Sequence, residues 1–186
     1  MTSSASLKAL IVACVLPLLG SPFATGQSMD RAGVPEWEVP ESFQHDVFTF
    51  ARVRYDSYDG GQGWGRRGGR WSTDYPDAEL NLAFRLQQMT SLKVNPNSAV
   101  VRLAEDDLSD YPFLYMVEPG ALALRNEEVD ALRKYLLNGG FLMIDDFWGE
   151  NEWENLRYEL MRVFPDREIH DLTIDHPIFH IVFDLK

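Results

Sequence analysis

Apolar side chains recur at Phe48, Phe50, Val53 and Tyr55 along residues 47–57, VFTFARVRYDS, an alternation broken only at Ala51-Arg52. A period of two predicts a strand. The glycine-rich stretch GGQGWGRRGGRW, residues 60–71, interrupts the pattern, and a period of 3.6 follows it. Ala78, Leu82, Leu86 and Met89 then fall on one helical face, with Pro76 near the first turn. SAVVRL and PFLYMVE are short apolar runs suited to buried strands, separated by the acidic loop AEDDLSDY. NEEVDALRKYLLNGG has the signals of a second helix: Asn126 as N-cap, glutamates in the first turn, Val129, Leu132 and Leu136 along one face, and Gly139-Gly140 as the stop. Residues 141–144 form a further apolar strand that delivers Asp145 and Asp146 at its carboxyl end. Trp153, Leu156, Leu160 and Phe164 follow at helical spacing and Pro165 ends that run. Strands alternating with helices predict an α/β domain with a mainly parallel sheet. Its core is expected to contain Leu132, Leu136, Phe141, Met143, Leu156 and Leu160.

The first 45 residues lack these periods. In residues 1–26, Lys8 precedes an apolar run from Ala9 to Leu19, and Ala24-Thr25-Gly26 stands before Gln27, which is the pattern of a secretory signal peptide. The run is shorter than the roughly 20 residues that span a bilayer. A lipoprotein anchored through Cys14 is the alternative, and the apolar run continuing past Cys14 argues against it. Residues 27–45 read as an extended arm and residues 46–186 as the α/β domain. The apolar run just before the final FDLK leads us to expect that the domain continues beyond Lys186.

Charge and cysteine count narrow the function classes. The chain carries 29 acidic and 17 basic residues, a net charge of −12, and its single cysteine lies in the leader. The mature chain would thus lack disulfides, cysteine nucleophiles and thiolate metal sites. An exported acidic protein repels phosphate backbones, so nucleic acid is not an expected partner.

In parallel sheets ligands bind beyond the carboxyl ends of the strands. The glycine-rich loop and Asp145-Asp146 both leave such ends, so they are expected to share one rim. Arg66, Arg67 and Arg70 are positioned to hold an anionic or carbonyl-bearing ligand, with Trp64 and Trp71 as flat apolar faces. Asp74 and Tyr75 join the rim at the helix start, although capping of that helix is the first role to expect of Asp74. Asp145 and Asp146 point to opposite sides, so one faces the rim and the other serves structure. Asp145, Asp146 and His176 are the only catalytic candidates, as general base or hard-cation ligand. His45, His170, His176 and His180 have no zinc-type spacing, and Pro177 argues against a helix joining the last two. No cofactor motif emerges, and no metal is expected.

The stretches RYDSYDGGQGWG, GRWSTDYPDAELNLAFRLQQMTSLKV, YPFLYMVEPG, LRKYLLNGGFLMIDDFWG and DHPIFHIVFDL together resemble the bacterial domain of unknown function 4159 family, from about Phe48 to Lys186. The resemblance implies a flavodoxin-like α/β fold with helices on both faces, similar to class I glutamine amidotransferase-like and trehalose-utilisation-like domains, and a cell-envelope setting. It implies no activity. Amidotransferases place a nucleophilic cysteine after a central strand, whereas this chain has Asp145-Asp146 there, which speaks against glutaminase chemistry. Two readings remain. One is a non-catalytic module binding a small polar or saccharide-like ligand, or an envelope protein partner, at the rim. The other is a hydrolase using Asp145 or Asp146 with a metal or a water.

Overall fold

Arg52 is the residue at which the expected alternation breaks, and the strand runs straight through it. In the computed structural model, which describes residues 31, 33–43, 46–60 and 68–181, Ala51, Arg52 and Val53 are all fully buried. They form strand β1, Ala51–Val53. A strand buried on both sides has no polar face, so Phe50 and Arg52 share one face while Ala51 and Val53 share the other. The remaining elements follow in the expected order: helix α1 (Asp77–Met89), β2 (Ala99–Val101), β3 (Phe113–Val117), α2 (Asn126–Leu137), β4 (Phe141–Asp145) and α3 (Gly149–Val163). All strand pairs are parallel, in the order β2-β1-β3-β4. This is an α/β domain of the flavodoxin-like kind.

The main core lies on the Ala51 and Val53 side. Leu114 and Met116 of β3 meet Val129, Leu132 and Tyr135 of α2 and Leu156 and Val163 of α3. Leu136 and Leu160 pack against this cluster while partly buried. The other face carries Arg52 and α1. There the expected helical stripe is wrong: Leu82 and Met89 are exposed, and Glu79, Leu80 and Ala83 point inward. Glu79 pairs with Arg52, and that pairing rotates α1 away from the orientation that apolar periodicity alone would select. The helix start of α2 also shifts. Arg125 is the N-cap, its N–H donating to Glu128 Oε2 at 2.9 Å, and Asn126 is the first helical residue.

Two expected core residues are not buried. Phe141 and Met143 are 52% and 43% exposed. Among the described residues β4 is an edge strand, so its alternate side chains part: Leu142 and Ile144 turn to the helix-covered core, while Phe141 and Met143 face the side that α1 does not reach. Phe141 is instead stacked on Phe113 of β3 at 5.8 Å. The Gly139-Gly140 stop acts as expected. Gly139 has φ +95°, and a Cβ on Gly140 would lie within 2.4 Å of the Tyr135 ring, whose hydroxyl bonds the Tyr111 and Phe141 carbonyl oxygens. These positions make opposite predictions for truncation. Leu132→Ala should cost about 2–5 kcal/mol by leaving a cavity, and Met143→Ala less than about 1 kcal/mol, measured by urea unfolding; equal losses would contradict the edge position of β4.

Candidate functional site

Arg52 builds the rim from below. Its Nε pairs with Glu79 Oε1 of α1, and its Nη1 donates to the carbonyl oxygens of Trp71 at 2.9 Å and Thr73 at 2.7 Å. The guanidinium lies over the rings of Tyr115 at 5.1 Å and Tyr75 at 5.8 Å. A buried charge persists only when paired and hydrogen-bonded. Satisfying this one therefore draws the segment 71–73 across the carboxyl end of β1.

Arg70, expected to be a ligand-binding arm, is instead the centre of an ion-pair network. Its Nε lies 2.9 Å from Asp59 Oδ2, and its Nη1 lies 3.4 Å from Glu152 Oε1 and 3.9 Å from Glu118 Oε2. Burial works against its charge. The hydrogen bond and charge of Asp59, with the carboxylates of Glu152 and Glu118, outweigh that and hold the guanidinium above its ordinary pKa. Thr73 Oγ1 donates to Glu118 Oε1 at 2.8 Å, and the Trp148 N–H donates to Glu152 Oε2 at 2.8 Å. Glu118 follows β3 in the left-handed region, φ +48°. The Tyr55 hydroxyl lies 2.7 Å from the carbonyl oxygens of both Val117 and Glu118, and burial, then the Glu118 charge, push this phenol well up. A Cβ on Gly120 would overlap the Glu152 carboxylate, so glycine there keeps α3 within reach of Arg70.

The other expected site residues divide. Arg66 and Arg67 lie outside the described residues, as do Trp64 and His45. Trp71 is half-buried beneath the Arg54 guanidinium, 5.3 Å from its ring centre, and tilts against Tyr75 at 6.1 Å. Asp74 is exposed with φ +55°. Its carboxylate does not cap α1, because Pro76 occupies the N-cap; its carbonyl accepts from the Ala78 N–H at 2.9 Å instead. Asp145 and Asp146 diverge. Asp145 Oδ2 accepts from the Tyr115 hydroxyl at 3.2 Å, while Asp146, at φ +56°, accepts from Trp148 Nε1 at 2.7 Å. Burial and the Asp145 charge raise the Tyr115 phenol to about 12. His176 is a turn histidine, its Nδ1 accepting from the Ile178 N–H at 3.3 Å. Among the described residues no group of three or more histidine, cysteine or acidic side chains is placed to hold a metal ion.

The space left at the rim is a cavity of about 540 Å³ beyond β1 and β2, lined by Arg54, Asp56, Ser57, Gly68, Gly69 and Arg102, with Arg70 and Trp71. Arg102 holds Asp56 and Glu105 only at 3.7 and 3.8 Å. Arg54 has Trp71 beneath it and pairs with no carboxylate among the described residues. A second cavity of about 510 Å³, between the end of α2 and the loop after β2, presents Lys134, Asp107 and Ser109. There Asp107 is already engaged, accepting from both the N–H and the hydroxyl of Ser109 at 3.0 and 2.7 Å.

Residues 49–186 match the family model for the domain of unknown function DUF4159. The chain belongs to that family. No curated protein matches it. In this DUF4159 domain, no helix among the described residues is long and apolar enough to cross a membrane. Its rim rests on Arg52, Glu79, Glu118 and Glu152, none of which stood out in the sequence. Only Arg52 left a trace there, as the interruption of an alternating strand.

Two measurements follow from this geometry. Glu79→Leu should cost about 3–5 kcal/mol by stranding the Arg52 charge, and Arg52→Met in the same chain should recover most of it; additive losses in the double variant would deny the coupling. The Tyr115 phenol is raised from 10.0 to about 12, so between those pH values the folded chain holds a proton that the unfolded chain has released. Stability then falls as pH rises through that window, and Tyr115→Phe should flatten the fall in urea midpoints recorded across it.

Proposed function

We propose that this DUF4159 domain is an exported, non-catalytic binding module that takes a small anionic ligand at the carboxyl rim of its sheet. One observation carries the reading: Arg54 is propped on Trp71 above the rim cavity with no carboxylate partner among the described residues. Among the described residues Arg54, Arg70 and Arg102 line that cavity with Asp56; Arg70 and Arg102 have carboxylate partners, and Arg54 has none among those residues. Gly68 and Gly69 add backbone that a ligand can approach closely. Arginine forks suit carboxylate or phosphate oxygens. Export rests on the leader-like residues 1–26.

A hydrolytic role for Asp145 or Asp146 gains no support from the surroundings of either carboxylate. Asp145 is held by Tyr115, Asp146 by Trp148, and His176 serves its own turn. Titration calorimetry with inorganic phosphate and with citrate, at low ionic strength, tests the binding reading. Saturable binding should weaken at least about tenfold in Arg54→Ala and in Arg102→Ala, the loss of one charge-assisted contact, with thermal midpoints unchanged. Absence of binding, or binding indifferent to both substitutions, would overturn the reading.

A further inference from the structure

Burial alternates along β1 and past its carboxyl end. Ala51, Val53 and Tyr55 turn to the main core, so Arg52, Arg54 and Asp56 leave by the other side. Arg52 is enclosed with Glu79 of α1, whereas Arg54 and Asp56 line the rim cavity. Two residues of extended chain set their Cα atoms about 6.6 Å apart. Arg102 joins them from the end of β2. The parallel register of Val53 with Val101 continues one residue further, the Arg54 N–H donating to the Val101 carbonyl oxygen at 2.8 Å. Val101 and Leu103 point into the core, which puts Arg102 on the same side as Arg54, about 4.8 Å away across the two strands. Arg102 Nη1 lies 3.7 Å from Asp56 Oδ1. One face of two adjacent strand ends thus presents a cation, a carboxylate and a second cation.

These three groups hold one another loosely. The Asp56 side chain is 60% exposed, and Arg102 is its ion-pair partner among the described residues. Glu105, the other carboxylate near Arg102 at 3.8 Å, also pairs with Arg125 at 3.5 Å, so releasing Arg102 does not strand it. A simple anion entering here meets the arginines but crowds Asp56, and like charges at short range repel. An ammonium carried together with two carboxylates removes that conflict. Each charge of such a ligand meets its opposite on the wall, Arg54 and Arg102 for the carboxylates and Asp56 for the ammonium, and each contact is a charge-assisted hydrogen bond. Asp56 then exchanges a distant guanidinium for a close ammonium, and Arg102 turns to the ligand.

We propose that the ligand of this rim is an acidic α-amino acid, its carboxylates at Arg54 and Arg102 and its ammonium at Asp56. The inference rests on the anion-binding reading above for the arginines and stands on Asp56 for the ammonium. It is tested on the full chain by calorimetry, at neutral pH and low ionic strength, with L-aspartate, L-glutamate, their N-acetyl forms and inorganic phosphate. At least one of the two amino acids should bind about tenfold or more tightly than its N-acetyl form, which keeps both carboxylates and lacks the ammonium. Asp56→Asn should remove that advantage, weakening the amino acid by a similar factor while phosphate and the N-acetyl form bind no more weakly. Arg54→Ala should weaken every ligand. N-acetyl forms bound as tightly as the free amino acids, with phosphate still bound, would overturn the amino-acid assignment and leave the anion pocket standing. Amino-acid binding indifferent to Asp56→Asn would overturn the assignment in the same way. Failure of all the ligands would overturn the anion-binding reading and this inference with it.

Discussion

A buried ion pair under the sheet, Arg52 with Glu79, is the contact on which the rim depends. Both side chains are fully enclosed, where an unpaired charge costs several kcal/mol. Each therefore demands the other, and the guanidinium demands acceptors for its remaining N–H groups. The consequence is architectural. Glu79 fixes the rotation of α1, and the carbonyl acceptors at Trp71 and Thr73 fix the segment between the glycine-rich loop and that helix. Trp71 then supports Arg54, and Thr73 reaches Glu118 through its hydroxyl. Replacing the pair by apolar side chains of similar size can preserve stability. It would still remove the donor that holds the two carbonyls, and with it the placement of Trp71.

The rim sorts its arginines by how tightly each is answered. Arg70 meets three carboxylates, one of them at 2.9 Å, and ties the loop after β1, the end of β3 and the start of α3 into one unit. Glu118 and Asp146 take up left-handed backbone to serve it and the neighbouring tryptophan. Such conformations persist where surrounding contacts over-determine them. They mark the carboxyl ends of β3 and β4 as the places where local backbone preference yields to the site.

Much of the fold was legible in the sequence because it rests on local signals. Every helix and strand lies in the expected order; Gly139-Gly140 ends α2, Asp145 and Asp146 diverge, and His176 serves a turn. What stayed illegible depends on partners distant in sequence. Arg52 reads as a flaw in a strand until Glu79, 27 residues on, is seen to pair with it. The same pairing turned α1 off its apolar stripe, since one buried charge outweighs a weak preference among Leu82, Leu86 and Met89. Phe141 and Met143 read as core because apolar runs look alike in central and edge strands. Only the strand order reveals that β4 has no neighbour on one side among the described residues.

Exchangeability also separates the arginines. An anion entering the cavity must compete with whatever already holds them, and charge attraction falls with distance and with solvent access. At Arg70 the incumbents are close and partly shielded, so a small ligand gains little by replacing them. At Arg102 the carboxylates stand 3.7 and 3.8 Å away on side chains that are mostly exposed, and exposed pairs of that kind are worth about 0–1 kcal/mol. Among the described residues Arg54 has none to displace. A ligand oxyanion meeting Arg54 and Arg102 together therefore sacrifices little existing pairing, while the Arg70 network keeps the wall of the cavity in place. Binding strength at this rim is set by the arginines that the protein leaves loosely answered, and its shape by Arg52 and Arg70, which paired carboxylates hold in place.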